Sequence, residues 1–478
     1  MLWLKKYKND EQVPDASAEA RMRVGTEVGE LAKGLFGKYA DATVLKADET
    51  PDIPAMIERT KQLIAAGEES ICEAAFSYGG LYCAVDVLHK EDEGYAIYEV
   101  KSTTTVKPYH IADVAYQKYV LEKCGINVVD AHVVVLNNKY VRHGELDIKR
   151  LFSIDGGEYL VPKIDAEYSV VESNLQKAEA MITSDVEPIA ELGCKQCTGC
   201  AFWKYCSRDL PKPNVFDLYG CSKKRKYYED GIVSFDDLLI KRGDELSDVQ
   251  LRQIDYALHD RGTYIDKSAI AEFLDKLTYP LYFLDFETMQ LSVPEYDGTH
   301  PFEQIPFQYS LHYVESDGGD VMHKEFLAEA DADPRRALAE RLCADIPENA
   351  CTLAYNASTE KGIVGTLAKQ FPDLSKRLLK IQSGIEDLLP IFKKGNYYKR
   401  EIGGSFSIKS VLPAVFPDKD YHNLDGVQNG MDAMTVFPKL KTMSTEQAQK
   451  ARAQLLEYCE RDTEAMVLLW KELVKVSK

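Results

Sequence analysis

The sequence predicts an α/β protein built from two folded domains. In the first part of the chain, helical apolar spacing gives way to a run of short strands and then to a further helix and strand. In about the last 200 residues, short apolar runs alternate with helical patterns. We therefore expect domains at 1–210 and 279–478, joined by a mostly helical region at 211–278.

The composition is that of an ordinary globular chain with an acidic balance. Hydrophobic residues make up 45% and charged residues 28%, which is enough apolar material for a large core. The net charge of −19 argues against general binding to polyanions, although a local basic groove is compatible with it. No apolar run reaches the roughly 18 residues of a membrane span, and residues 2–6 lack the apolar core of a signal peptide. We therefore expect a cytoplasmic protein with no membrane partner.

The first domain is predicted to contain helices around a three-stranded meander. The segments Gly79-Gly80 and Glu91-Asp92-Glu93-Gly94 have the composition of hairpin connections, so the strands that they separate should pair in order. The predicted helices cover 17–37, 52–66 and 111–123, and the predicted strands cover 71–78, 81–88, 95–100 and 131–136.

Two acidic residues end the apolar strand predicted at 281–288. The run from Leu281 to Leu284 is apolar and aromatic, and it leads into Asp285 and Glu287. Side chains alternate along a strand, so these two carboxylates should lie on the same face. Like charges on a buried strand repel each other and lose hydration unless cations bind between them. The pair therefore indicates a metal site, and a strand that simply ends in a polar turn is the alternative.

Further groups that suit a metal site follow downstream, one after a second predicted strand and two on a helix near the C-terminus. A strand predicted at 352–356 is followed by Glu360 at the start of a helical pattern. Helical spacing over 455–469 carries Tyr458 and Asp462, whose i, i+4 separation places them on one helix face. Such carboxylates with a tyrosine suit a phosphodiester hydrolase that uses two divalent cations about 4 Å apart. In that chemistry the tyrosine would orient the attacking water.

These groups resemble the three motifs of the DEDD 3′→5′ exonucleases. The matching segments are Asp285-Phe286-Glu287-Thr288, Asn356-Ala357-Ser358-Thr359-Glu360 and Tyr458-Cys459-Glu460-Arg461-Asp462. The resemblance implies a ribonuclease-H-like fold and, through its tyrosine, the DEDDy branch of that superfamily. It also implies a set of ligands for Mg²⁺ or Mn²⁺, namely Asp285, Glu287, Glu360 and Asp462. The second motif usually ends in Asp rather than Glu, so Asp387 is a fallback carboxylate, unless it caps or orients a neighbouring helix.

A second acidic group lies on the predicted meander. Asp86 falls on the second strand, and Glu99 and Lys101 share one face of the third strand. Two acids and a lysine on adjoining strands suit one metal site, in which Lys101 polarises water or phosphate. Gln117 on the following helix adds to the pattern. A structural pair between Glu99 and Lys101 is the alternative.

This half of the chain resembles the PD-(D/E)xK nucleases of the RecB-like group, which have a restriction-endonuclease-like fold. The resemblance implies a catalytic set whose first two members bind the metal, and this set is Asp86, Glu99, Lys101 and Gln117. Glu73 is a further candidate acid. Members of the group often have a histidine ligand on an early helix, and Glu27 or Glu30 would replace it here.

Four cysteines lie within thirteen residues, with the spacing Cys194-x2-Cys197-x2-Cys200-x5-Cys206. This spacing is typical of thiolate ligands for an iron–sulfur cluster or zinc rather than of disulfides. Cysteines directly after a RecB-like core resemble the tail of the iron–sulfur RecB-like nucleases, which implies a [4Fe–4S] cluster, with zinc as the alternative. Those relatives take one ligand from the N-terminus, but no cysteine precedes Cys72 here. Either Cys197 is the fourth ligand, or the given chain begins at an internal Met.

The whole arrangement resembles a bacterial family that joins a RecB-like nuclease with an iron–sulfur tail to a ribonuclease-H-like exonuclease. The resemblance implies a metal-dependent nuclease that hydrolyses DNA phosphodiester bonds, with 3′→5′ exonuclease activity in the second half and another nuclease site in the first. Its expected partner is single-stranded DNA or a DNA end. The competing expectation is a nucleic-acid-binding or scaffold protein in which one or both sites have lost activity.

Overall fold

The computed structural model describes residues 1–14, 18–194, 197, 199–419, 421 and 426–478. The chain is mixed α/β with mixed sheets, which confirms the predicted class. It forms two compact units. The first consists of Met1–Pro188 with Gln290–Glu303, and the second consists of Ile189–Met289 with Gln304–Lys478.

The first unit combines helices with one mixed sheet. Its helices are α1 Leu2–Tyr7, α2 Ala18–Ala32, α3 Ile53–Ala66, α4 Pro108–Lys123, α5 Ile148–Leu151, α6 Val161–Tyr168 and α7 Val171–Thr183. Its strands are β1 Ala40–Asp41, β2 Ser70–Tyr78, β3 Leu81–Lys90, β4 Tyr95–Lys101, β5 Val128–Leu136 and β6 Phe152–Ile154. Among the described residues, these strands lie in sequence order across the sheet.

The predicted meander is present as β2, β3 and β4, which pair antiparallel. Gly79 and Gly80 both have positive φ, at 57° and 84°, as a two-residue hairpin turn requires. The chain then crosses through α4 and returns as β5 parallel to β4. Fully buried apolar side chains of α4 and the sheet, such as Val114 and Ile97, pack into one core and hold this face of the sheet.

Helix boundaries follow local capping. The side chain of Asp52 accepts a hydrogen bond from Ala55 N at 3.2 Å, and Gly67 ends α3 with φ 77°. The first predicted helix ends earlier than expected, at Ala32 rather than 37. Beyond Ala32 the backbone hydrogen bonds change from the i→i−4 spacing of an α-helix to the i→i−3 spacing of a tighter 3₁₀ turn. Leu35 N, for example, donates to Ala32 O at 2.9 Å. Position 17, where that helix was expected to begin, lies outside the described residues.

The second unit has two sheets among many helices. Its helices are α8 Trp203–Cys206, α9 Lys224–Glu229, α10 Phe235–Arg242, α11 Asp248–Leu258, α12 Lys267–Leu274, α13 Pro334–Asp345, α14 Ser358–Gln370, α15 Pro372–Ser383, α16 Leu389–Lys393, α17 Ile408–Val415, α18 Gly430–Val436 and α19 Thr445–Ser477. Its strands are β7 Thr263–Ile265, β8 Leu281–Gln290, β9 Gln304–Val314, β10 Met322–Leu327, β11 Cys351–Ala354, β12 Ile385–Asp387 and β13 Tyr397–Lys399. The expected helical region at 211–278 contains β7, which pairs antiparallel with β13.

The larger sheet of this unit has the order β10-β9-β8-β11-β12 among the described residues. β8, β11 and β12 run parallel, and β9 and β10 form an antiparallel hairpin. Alternation along β8 divides its side chains between two cores. Phe283 packs in the core that contains Trp470 of α19, and Leu284 packs in the core that contains Leu367 of α14. Residues that continue the Phe283 series therefore face the side of the sheet on which α19 lies.

Within the described part of the chain, no helix has both the length and the apolar content needed to cross a bilayer.

Candidate active site

Asp285 and Glu287 continue the Phe283 series within β8, which extends beyond them to Gln290, as the alternation of a strand dictates. The side chain of Glu287 is buried, and that of Asp285 is partly buried. The sequence prediction that these two carboxylates share a face is consistent with their contacts. One ligand atom each from Asp285, Glu287 and Cys459 lie within 4.8 Å of one another.

Helix α19 supplies the next residues of the site. A capping box, in which Ser444 and Gln447 bond each other's backbone N–H, begins this helix. The helix then carries Tyr458, Cys459 and Asp462, all buried, and Cys459 lies against Asp285 of β8. Cys459 Sγ lies 3.8 Å from a side-chain oxygen of Asp285. Because burial and the surrounding acids raise the pKa of this thiol, it remains protonated and donates to the carboxylate.

Glu360 enters the site from the first turn of α14. Asn356, which precedes this helix, has φ 67°, and its N–H donates to Asp387 Oδ1 at 3.0 Å. The same oxygen accepts the N–H of Leu389 at 3.0 Å. Asp387 therefore orients the chain between β11 and α14 and holds the start of α16, in agreement with its alternative role. Glu360 is 4% exposed, and its Oε2 has no hydrogen-bond partner among the described residues.

The four carboxylates influence one another's protonation. Burial raises the pKa of Asp285 well above its ordinary value, and the charges of Asp462, Glu287 and Glu360 raise it further. Burial and Asp462 raise the pKa of Glu287 to about 8, partly offset by Lys409. Burial, with Asp387, raises the pKa of Glu360 to about 7. Buried carboxylates with so little compensating positive charge resist ionisation, and bound divalent cations would stabilise their ionised form.

Lys409 and two tyrosines complete the polar surroundings. Lys409 Nζ, at the start of α17, donates to the Tyr458 hydroxyl at 2.9 Å and lies 4.7 Å from the centre of that ring. The Tyr421 hydroxyl donates to Asp462 Oδ1 at 2.6 Å. Burial raises the pKa of Asp462, whereas the Tyr421 hydrogen bond and the Lys409 charge lower it. Sequence reasoning did not identify Lys409, Tyr421 or the Cys459 thiol as part of the site.

The donor set fits divalent cations that prefer oxygen. Four carboxylates from β8, α14 and α19 offer hard oxygen ligands of the kind that Mg²⁺ and Mn²⁺ prefer. The Glu360 oxygen that has no hydrogen-bond partner in the described part of the chain is a buried acceptor for which a cation would compensate. If such ions bind, the residues that would hold them are Asp285, Glu287, Glu360 and Asp462.

In the first unit, the predicted residues also lie together. Lys101 Nζ donates to Glu99 Oε1 at 2.7 Å and to Asp113 Oδ2 at 2.6 Å. Gln117 Nε2 donates to Glu99 Oε2 at 2.8 Å, and Asp86 accepts the Val100 N–H at 2.6 Å. Burial raises the pKa of Asp86 well above its ordinary value, and the nearby Glu99 raises it further. The acids and Lys101 thus form one polar group on adjoining strands, in which Glu99 is buried and Asp86 and Lys101 are partly buried.

Further acids surround this group. Glu73 has φ 55° within β2, and burial raises its pKa while the charge of Lys33 lowers it. Lys33 Nζ is bonded to Glu30 at 2.6 Å and to Asp41 at 2.8 Å. Glu30 therefore contacts a lysine, and Glu27 lies on the preceding turn of the same helix, α2.

Three of the four clustered cysteines follow one another through tight turns. Cys197 N donates to Cys194 O at 2.9 Å, and Cys200 N donates to Cys197 O at 3.2 Å. The Sγ atoms of Cys194 and Cys197 are 2.9 Å apart. Cys206 is the last residue of α8, and all four side chains are partly exposed.

A comparison with protein-family models matches residues 282–407 to the "Domain of unknown function (DUF2779)". The match covers well under half of the chain. It includes Asp285, Glu287 and Glu360, and it ends before Tyr458 and Asp462. Comparisons with curated proteins and with solved structures gave no match.

Proposed function

We propose that the second unit is a metal-dependent phosphodiester hydrolase that removes nucleotides from the 3′ end of a nucleic acid strand. One observation carries the proposal. Four carboxylates on β8, α14 and α19 lie close enough together that three of them raise the pKa of the fourth, Asp285, beside a tyrosine whose hydroxyl accepts a hydrogen bond from Lys409. Binding alone does not require such a concentration of acids, whereas two-metal hydrolysis does.

The arrangement of the large sheet supports a ribonuclease-H-like fold for this unit. The strand that carries the first two acids, β8, lies between the β9–β10 hairpin and the parallel strand β11. Leu353, near the end of β11, pairs with Phe283, so the chain leaves β11 close to Asp285 and then reaches Glu360 in the first turn of α14. A helix on one face, α19, supplies the last acid. This arrangement supports the proposal of a DEDD-like site in this unit.

The residues of the site would divide the work of hydrolysis. When bound, divalent cations supply an activated water and charge stabilisation at the leaving oxygen. Asp285, Glu287, Glu360 and Asp462 hold the cations. Lys409 donates to the Tyr458 oxygen, and the Tyr458 hydroxyl is also hydrogen-bonded to the Asp462 carboxylate, so the phenol is held beside the acids, where it would orient water. Lys409 also places a positive charge beside the acids, where a phosphate of the substrate would lie.

In the first unit, we propose an independent nuclease site at Asp86, Glu99, Lys101 and Gln117, with DNA as its substrate. The proximity of Asp86, Glu99 and Lys101 on adjoining strands supports it. The double salt bridge of Lys101 to Glu99 and Asp113 instead favours a structural pair, which would make this unit a nucleic-acid-binding or scaffold module.

The clustered cysteines form a separate proposed site. A [4Fe–4S] cluster, with zinc as the alternative, would bind to Cys194, Cys197, Cys200 and Cys206.

Nuclease assays on the full chain separate these functions. The parent should shorten 3′-terminal, end-labelled single strands in Mg²⁺ or Mn²⁺ but not in EDTA. Asp285→Ala should lower that activity by roughly 10³-fold or more, because it removes a shared metal ligand. Glu457→Gln, an exposed acid on the same helix as Asp462, is the control and should behave like the parent. Parallel DNA and RNA substrates identify the preferred strand.

The same preparation tests the first unit. Asp86→Ala should abolish any endonuclease or 5′-end activity and leave 3′-end activity unchanged. If Lys101→Ala cleaves each substrate as well as the parent, the group at Asp86 is structural.

A further inference from the structure

A second group of metal-ligating side chains lies in the second unit, apart from the acidic site. His312 on β9 and His323 on β10 are direct partners across the antiparallel pair, with ring centres 4.6 Å apart. Glu460 of α19 approaches them, and its Oε1 lies 3.9 Å from His323 Nδ1. One ligand atom from each of the three residues lies within 4.8 Å of the other two. Two imidazoles and one carboxylate thus converge from three elements.

Hydroxyl groups hold the ring nitrogens that face away from this point. Ser310 Oγ lies 2.9 Å from His323 Nε2, and Thr463 Oγ1 lies 2.8 Å from His312 Nδ1. The two hydroxyl oxygens are 2.7 Å apart. Thr463 also donates to the backbone carbonyl of Glu460 at 3.0 Å.

The hydrogen bonds of the two hydroxyl groups determine which nitrogen of each imidazole carries a proton. Thr463 uses its only proton on the Glu460 carbonyl, so it accepts from Ser310 and from His312 Nδ1. Ser310, which donates to Thr463, then accepts from His323 Nε2. Each ring therefore donates outward and keeps a lone pair on its other nitrogen. Metal-binding histidines characteristically donate their second N–H to an oxygen in this way.

We propose that His312 Nε2, His323 Nδ1 and the Glu460 carboxylate bind Zn²⁺ or a similar divalent transition ion that prefers imidazole. Zinc takes two histidines and one carboxylate with a fourth position left for water. With bonds of about 2.0–2.1 Å, tetrahedral ligand atoms lie about 3.4 Å apart, so the three groups must move slightly closer. Glu460 can supply this movement, since its side chain is 49% exposed.

The position of this site gives the ion a structural consequence. It would link α19 to the β9–β10 hairpin at Glu460, which lies two residues from both Tyr458 and Asp462. The ion would therefore fix the register of the helix that supplies two residues of the acidic site. This metal is distinct in chemistry from the oxygen-preferring cations proposed there.

Zinc binding by the full-length chain tests the proposal. After chelation and dialysis, zinc affinity and stoichiometry are measured for the parent, His323→Gln, Glu460→Gln and the control Glu457→Gln. All four are compared in a background with Cys194→Ser and Cys197→Ser, so that thiolates do not obscure the count. The Glu460 side chain is exposed, so Glu460→Gln should fold even if His323→Gln does not.

We expect His323→Gln to lose one equivalent of zinc and Glu460→Gln to bind it at least about tenfold more weakly, while Glu457→Gln matches the parent. Cobalt in the parent should give the visible bands of a tetrahedral site, and these bands should be absent from His323→Gln. Asp285→Ala should retain this equivalent, which separates the zinc site from the proposed nuclease. Equal zinc affinity and stoichiometry in the parent and Glu460→Gln, with equal cobalt spectra, would overturn the proposal and leave a packed histidine pair.

Discussion

Lys409 Nζ donates a hydrogen bond to the Tyr458 hydroxyl at 2.9 Å and lies over the rings of Tyr458 and Tyr421. The amine therefore sits between the acidic residues and the phenol that is proposed to orient water. Its charge also lowers the pKa of Glu287 and Asp462, opposing burial. Lys409 therefore has two proposed roles. It positions Tyr458, and it partly neutralises the negative charge of the carboxylates.

Replacement of Lys409 tests the first role. Lys409→Met keeps a long side chain over the two rings but removes the donor, so Tyr458 keeps its hydrogen bond with Asp462 and loses the one from Lys409. We expect kcat for 3′-end release to fall by roughly tenfold to a hundredfold, the range for a misplaced catalytic group. Tyr458→Phe should have a similar effect. The double variant should be less impaired than the product of the two single effects, since both changes disrupt one contact.

The matched control is Lys419→Met, which removes a surface lysine that pairs with Glu464 at 3.2 Å. It should retain the parental kcat. Full additivity of Lys409→Met and Tyr458→Phe would show that the two groups act independently.

Metal binding should stabilise the protein more at high pH than at low pH. Burial raises the pKa of Glu287 to about 8 and that of Glu360 to about 7, above the ordinary 4.5. In the metal-free protein these groups favour folding fully below pH 4.5, and that contribution is lost as the pH rises through about 7 and 8. Divalent cations hold the ionised forms, so the difference in Tm between Mn²⁺ and EDTA should widen from pH 6 to pH 9.

The control for this titration is the double variant Glu287→Gln and Glu360→Gln, which keeps Asp285 and Asp462 but lacks these two ionising carboxylates. Its Tm difference between Mn²⁺ and EDTA should be smaller and should widen less from pH 6 to pH 9. A parental difference that stays constant from pH 6 to pH 9 contradicts the coupling of these acids to metal.

Two substitutions of Glu360 test whether this residue replaces the aspartate of the usual exonuclease motif. Glu360→Asp keeps the charge and restores the shorter acid of that motif, so we expect 3′-end activity to be preserved or raised. Glu360→Gln keeps the size but lacks the charge, and it should weaken Mn²⁺ affinity and lower activity by about tenfold or more. Manganese titration and single-turnover release measure both effects. If Glu360→Gln equals the parent in both, Glu360 is not a metal ligand.

The clustered cysteines should give the purified protein a colour. Protein isolated without oxygen should be brown and contain iron and sulfide in the ratio of a [4Fe–4S] cluster. Cys206→Ser should lose the colour, whereas Cys221→Ser, a cysteine outside the motif, should keep it. Stoichiometric zinc without iron in the parent would establish the alternative, a structural zinc site.

The strand and helix periods account for the part of the site that the sequence predicts. Alternation along β8 places Asp285 and Glu287 on one face, and the i, i+4 spacing in α19 brings Tyr458 and Asp462 together. Capping chemistry predicts α3, because Asp52 and Gly67 act locally. Each of these features depends on neighbours in the sequence.

The remaining features depend on tertiary packing that local patterns do not encode. Lys409 lies in the first turn of α17 and Tyr421 follows that helix in the chain, and no pattern in the sequence directs either side chain toward the acids. His312 and His323 are an intermediate case. The turn at 316–319 is centred midway between them, so counting outward from this turn pairs the two histidines, as observed. The approach of Glu460 still depends on how α19 packs against the hairpin.

The central claim is that Asp285, Glu287, Glu360 and Asp462 hold two divalent cations. Anomalous scattering from crystals of the full chain grown with Mn²⁺ measures this directly. The account predicts two manganese peaks about 4 Å apart between β8, α14 and α19, with Asp285 bound to both. Crystals of Asp285→Asn should lose at least one peak. An absence of manganese at these carboxylates in well-ordered parental crystals, or manganese elsewhere alone, would contradict the account.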